Sequence, residues 1–149
     1  MADNPYKDYG LLQALGDAHL GKYVGGMAGG DSWQHLMFPD DFAKRLYEMY
    51  PDLERRRDRN MADMAINFAG GYDWGVRESV DPQVARDMAK AYQYRDYRGG
   101  REEDSIQDYY ENLAGVEAGI QHKGERLSMD DLVKAAYSYA DVKNRGLLD

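Results

Sequence analysis

At 149 residues the chain is the size of one domain, able to bury roughly two-thirds of the surface its unfolded form exposes. Hydrophobic residues make up 43% and charged residues 31%, which excludes a charge-rich disordered class; a formal net charge of −8, from 27 acidic and 19 basic residues, disfavours nucleic acid and anionic lipid as partners. The absence of cysteine excludes disulfides, thiolate nucleophiles and Cys-based zinc sites.

The opening stretch, MADNPYKDYGLLQALG, carries acidic residues where a signal peptide needs basic ones. Nothing in the chain approaches the roughly 18 apolar residues of a membrane span. The expected location is cytoplasmic, or exported without a cleavable signal, with no membrane partner. The chain has no threonine and only ten Val plus Ile, and it shows no sustained polar/apolar alternation, so an all-α fold of about six helices is expected.

Leu11, Leu12 and Leu15 mark the first helix. Gly25, Gly26, Gly29 and Gly30 form a joint, and GDSWQH follows it with Trp33 and His35 side by side. An imidazole beside a flexible glycine stretch and an aromatic ring is a reasonable setting for binding or catalysis. Phe42, Leu46, Met49 and Leu53 then keep helical spacing up to Pro51, which should kink or end that helix. A basic knot follows at Arg55, Arg56, Arg57 and Arg59, with acids alongside that make it a solvated face rather than a phosphate site.

Met61, Met64, Ala65 and Phe68 mark the next helix, within DMAINFAG at Asp63 to Gly70, and Gly70 with Gly71 reads as a joint. Asp81 and Pro82 read as an N-cap followed by proline in the first turn, opening a helix with Val84, Met88, Ala91 and Tyr92. YQYRDYRGGR interleaves Tyr92, Tyr94 and Tyr97 with Arg95, Arg98 and Arg101 before a joint at Gly99 and Gly100. Ser105 with Asp108 reads as a capping box for a helix through Ile106, Tyr109, Tyr110, Leu113 and Val116. The HKGER stretch near Gly124 is the last joint. Ser128 with Asp131 caps a final helix along Met129, Leu132, Val133, Ala136 and Tyr139.

DMAINFAG is echoed by DYYENLAG at Asp108 to Gly115, 45 positions later. The same step relates Ala91, Tyr92, Tyr94 and Asp96 to Ala136, Tyr137, Tyr139 and Asp141. A period of this length suits stacked two-helix units, here residues 15 to 58, 59 to 103 and 104 to 149 within one domain. Asp and Asn at i and i+4 share a helix face. Asp63, Asn67 and Gly70, with Asp108, Asn112 and Gly115, are therefore expected to form a structural joint, the asparagines bonding neighbouring backbone and the glycines capping the helix or letting another backbone approach. Two oxygen ligands without the spaced carboxylates of a calcium loop imply no metal, and no cofactor fingerprint is present.

DYYENLAGVEAG, together with GDSWQH and the terminal NRGLLD, resembles the helical C-terminal domains of bacterial polymorphic toxins and secreted effectors. In that pattern a Gly-Asp segment carries Arg-His, then His-Glu follows, then Asp with Asn and Gly. Here Gln34 stands in place of the Arg and no His-Glu pair occurs. The resemblance implies a catalytic set of His35, Asp108 and Asn112. The residues themselves point first to another function, an acidic interaction module of bacterial or phage type. It would bind another protein through Trp33, Tyr92, Tyr94, Tyr97, Tyr137 and Tyr139, since tyrosine suits interfaces. The alternative expectation is a hydrolytic toxin or effector enzyme using His35 with the Asp108/Asn112 face.

Overall fold

Capping chemistry and proline placement divide the chain much as its local sequence requires. The computed structural model describes residues 3–24, 31–55 and 59–146, with the side chains of residues 18–24, 31–39, 54, 55, 59 and 95 outside that description. Among the described residues there are seven helices and no strand, so the chain is all-α. They are α1 (Leu11–Val24), α2 (Asp31–Met49), α3 (Pro51–Arg55), α4 (Arg59–Gly75), α5 (Pro82–Arg98), α6 (Glu102–Gln121) and α7 (Met129–Asn144). Asp81 caps α5 by accepting a 2.9 Å bond from the Gln83 N–H, with Pro82 in the first turn. Ser128 caps α7 in the same way, accepting from the Asp131 N–H at 3.2 Å. Pro51 separates α2 from the short α3.

Two expected boundaries are corrected. Ser105 is not a cap: α6 begins at Glu102, where Glu102, Glu103 and Asp104 place negative charge on the positive end of the helix dipole. Ser105 therefore lies inside the helix, buried, with no partner for its hydroxyl oxygen. Gly70 and Gly71 are no joint either, because α4 runs through both to Gly75. Glycine costs a helix interior about 1 kcal/mol relative to alanine, so packing has to favour it there.

The packing is a close crossing of α4 on α6. A Cβ on Gly71 would collide with the carbonyl of Asn112, and one on Gly75 with the carbonyl of Val116. Reciprocally, a Cβ on Gly115 would meet the carbonyl of Phe68, and one on Gly119 the carbonyl of Tyr72. The contacts rise together along both helices, so α4 and α6 run parallel and backbone lies against backbone. Gly71 and Gly75 correspond to Gly115 and Gly119 at a spacing of 44, one less than the 45-residue echo. In this register Asn67 pairs with Glu111 rather than with Asn112, and Gly70 faces open space.

The other helices close around this pair. α5 returns between α4 and α6, antiparallel to α6, with Val84, Ala85 and Ala89 packed against Val116 and Trp74. α7 and α2 cover the opposite side, where Phe42, Leu46, Phe68, Ala69, Leu132, Val133, Ala136 and Ala140 make the main core. The segment before α1 lies over α5 and α6. Tyr6, 2% exposed, donates from its hydroxyl to the carbonyl of Lys90 at 2.6 Å and packs among Tyr9, Tyr94, Tyr97 and Tyr109. α1 turns Ala14 inward among these rings and Asp17 accepts from the Tyr9 hydroxyl, while its leucines face outward: Leu11 is 44%, Leu12 86% and Leu15 58% exposed. The glycine joint at Gly25 to Gly30 lies outside the described residues.

The crossing predicts opposite outcomes for neighbouring glycines. Gly71→Ala or Gly115→Ala should destabilise by about 2 to 3 kcal/mol through overpacking against backbone. That would lower the thermal midpoint by several degrees in a domain of this size. Gly70→Ala, with nothing near its Cβ, should instead stabilise by about 0.5 to 1 kcal/mol. Thermal melts of the three variants check both signs.

Candidate functional site

One turn before the glycine contacts of α4 and α6, polar side chains from three helices meet. Asn67 of α4 presents its amide to α6 and donates to Asp108 Oδ1 at 3.1 Å and to Glu111 Oε1 at 3.0 Å. The i, i+3 spacing of Asp108 and Glu111 puts both carboxylates on one helix face, within reach of that single amide. Lys143 of α7 completes the group, its ammonium 3.1 Å from Glu111 Oε2. Glu111 is only 2% exposed, so its charge is removed from water and balanced by one amide hydrogen and one half-buried cation.

Asp108 has less compensation. Burial, then the charges of Glu111, Asp104 and Asp63, push its carboxyl from the ordinary 3.8 up to about 6, against the opposing bond from Asn67. A carboxyl near neutrality can hold or release a proton under ordinary conditions. Tyr139, between Phe68 and this group, is pushed up to about 12 by burial and by the charge of Glu111.

The expected structural motif is thus brought together in part and with different partners. Asn67 bonds carboxylates, not backbone. Asn112 is buried, yet its side-chain nitrogen has no partner. Its backbone carbonyl receives Gly71, so the asparagine of the second motif lies one turn from the polar group rather than at its centre. Asp63 is exposed at the edge and acts on Asp108 through its charge. Glu111 and Lys143 were not singled out from sequence; an Asp-x-x-Glu step on a helix already carrying an apolar stripe was the available signal.

Of the tyrosines expected to bind a partner, Tyr92 is 62% exposed, against Trp74 edge-on at 5.5 Å. Tyr94 is buried in the tyrosine cluster and Tyr97 half-buried beside it. Tyr137 stacks on Tyr50 with ring centroids 3.8 Å apart, and Tyr139 stacks on Phe68. Apart from the exposed Tyr92, these rings are core and interhelical contacts. The side chains of Trp33 and His35 lie outside those described, so the expected catalytic set is described only at Asp108 and Asn112.

A second polar group pins the far end of the crossing. Asp73, 3% exposed, holds Arg77 at 2.9 Å and Arg126 at 2.6 Å. The Tyr72 hydroxyl accepts the Leu127 N–H at 3.0 Å, and the Lys123 ammonium donates to the carbonyl of Val80. The bonds of Arg126 and Leu127 fasten the α6–α7 turn to the end of α4, and that of Lys123 fastens it to the α4–α5 turn. No group of three or more His, Asp or Glu side chains able to hold a metal occurs among the described residues, and no described helix is long and apolar enough to cross a membrane. The chain matches no family model, no curated protein and no solved structure.

The two asparagines of the echo should respond differently to substitution. Asn67→Leu removes two bonds to carboxylates and should cost about 3 kcal/mol, since hydrogen bonds to charged groups contribute about 1.5 to 3 kcal/mol each. Asn112→Leu exchanges an amide nitrogen without a partner for a similar apolar volume and should cost less than half as much. Urea unfolding of both variants gives the comparison.

Proposed function

We propose that the chain is an all-helical interaction protein that acts by binding another protein, with α1 supplying the apolar contact. The observation that supports this reading is the exposure of Leu11, Leu12 and Leu15 on one side of a helix whose other side is packed through Ala14. Positions i, i+1 and i+4 of a helix lie on one stripe, so the three side chains form a continuous apolar patch. Such a patch raises the cost of remaining in water, and its burial by a partner recovers on the order of 1.5 to 3 kcal/mol per leucine. The net charge of −8 keeps a chain with this patch soluble and favours a basic partner at long range.

A hydrolytic toxin or effector is the second reading, favoured by Asp108, whose carboxyl at about 6 is suited to carrying a proton. In that reading Asp108 exchanges the proton and His35 is its companion. Growth arrest on expression, relieved by His35→Ala and by Asp108→Asn while folded protein persists, would favour it.

For the leading reading the decisive variant is Leu12→Ser with Leu15→Ser. It should leave the thermal midpoint within a degree or two, because both side chains are already in water, and abolish recovery of a stoichiometric partner. Equal recovery by the variant and the wild type would move the binding surface away from α1.

A further inference from the structure

The bend between α2 and α3 leaves a cleft in the wall of the main core. Pro51 ends α2 at Met49, and Tyr50 is held in the bend at both ends: its N–H donates to the carbonyl of Leu46 at 2.8 Å, and its carbonyl accepts the Leu53 N–H at 3.1 Å. Met61 from α4 and Tyr137 from α7 close the other sides, around a volume of about 250 Å³. Leu53 and Met61, each 7% exposed, form the apolar floor, and the half-buried Met49, Tyr50 and Tyr137 the walls. Asp52 stands exposed at the rim, the one charged group among the described residues that line the cleft. Tyr50 and Tyr137 stack face to face, with ring centroids 3.8 Å apart and planes 3° from parallel. Aromatic pairs ordinarily prefer offset or edge-on contact at about 4.5 to 7 Å, because each ring face carries negative potential. A flush pair sums two such faces, and a cation against its open side is attracted by both rings.

We propose that the cleft between Tyr50, Tyr137 and Asp52 binds an arginine side chain of a basic protein partner. A planar guanidinium stacks on a ring face and forks onto a carboxylate, and its aliphatic stem suits the methionines and Leu53. The volume lies below the roughly 300 to 1,000 Å³ of small-molecule sites, which fits one side chain whose backbone stays outside. A free amino acid would also bring a carboxylate, for which no cation lines the cleft among the described residues; an arginine within a peptide brings none. The arginines at 55, 56, 57 and 59 are matched in number by Glu48, Asp52, Glu54 and Asp58, so that stretch is neutral and the net charge of −8 sets the long-range attraction. The site shares no residue with the leucine patch of α1 and stands independently of it.

The test is an NMR titration of the full chain, carbon-labelled at its methionine methyls, with a capped Gly-Arg-Gly peptide and with its lysine and citrulline counterparts. The arginine peptide should shift the Met49 and Met61 methyl signals, with a Kd on the order of millimolar, and bind about 10-fold more tightly than citrulline, which keeps the plane and the stem without the charge. Lysine, a charge without a plane, should fall between the two. Asp52→Asn, at an exposed position, should keep the wild-type thermal midpoint and weaken the arginine peptide about 3- to 5-fold. Leu12→Ser with Leu15→Ser should bind the peptide as the wild type does, which separates this site from the contact proposed for α1. Unmoved Met49 and Met61 signals, citrulline binding as tightly as arginine, or an unchanged affinity in Asp52→Asn would overturn the proposal.

Discussion

Backbone contact between α4 and α6 is the constraint on which the remaining architecture depends. Four glycines, two on each helix, remove the side chains that would otherwise hold the axes about 8 to 10 Å apart. Two parallel helices in one chain need a return between them, and α5 is that return, packed antiparallel against α6. Carbonyls at Phe68, Tyr72, Asn112 and Val116 occupy the space where glycine Cβ atoms would stand, so the helices have a single register in which they fit. α2 and α7 then complete one core and the tyrosine-bearing segment another, on opposite sides of the pair.

Polar side chains occupy both ends of this glycine seam and differ in electrostatic balance. At the far end Asp73 meets two arginines and is neutralised with a positive charge left over. At the near end Asp108 and Glu111 share the single amide of Asn67, and Lys143 bonds Glu111. The first arrangement locks a turn onto the end of α4, and the second leaves a group whose charge state can vary near neutrality. Apolar burial supplies the driving force for association of these helices, while the polar ends determine how firmly each end is held.

The parts of the fold legible in the sequence were those written in local chemistry. Asp81 with Pro82, Ser128 with Asp131, and Pro51 act through bonds or clashes within a few residues, so their meaning does not depend on what packs nearby. Gly70 and Gly71 show the opposite case. A glycine pair is written identically whether it ends a helix or admits another backbone, and only α6 decides which. Ser105 was misread because a helix start is set by competition, and three acids one turn earlier prevail. The echo matched letters of α4 and α6 at a spacing of 45, where the glycine contacts between the two helices use 44. The side chains that meet across the seam, Asn67 with Glu111, are not alike and leave no identity to find. The polar group itself required three helices to assemble, and no window of sequence contains it.

The tyrosine cluster has a consequence for how the chain comes to be folded. Tyr6 and Tyr9 are synthesised well before the groups that enclose them, Lys90, Tyr94, Tyr97 and Tyr109. During synthesis these first rings have no site until about a hundred residues have followed them. Their closure is a long-range contact, which costs loop entropy and comes late in folding. Until then the nascent chain displays two aromatic rings and the leucines of α1 together, a sticky stretch that a chaperone or a neighbouring nascent chain can grasp.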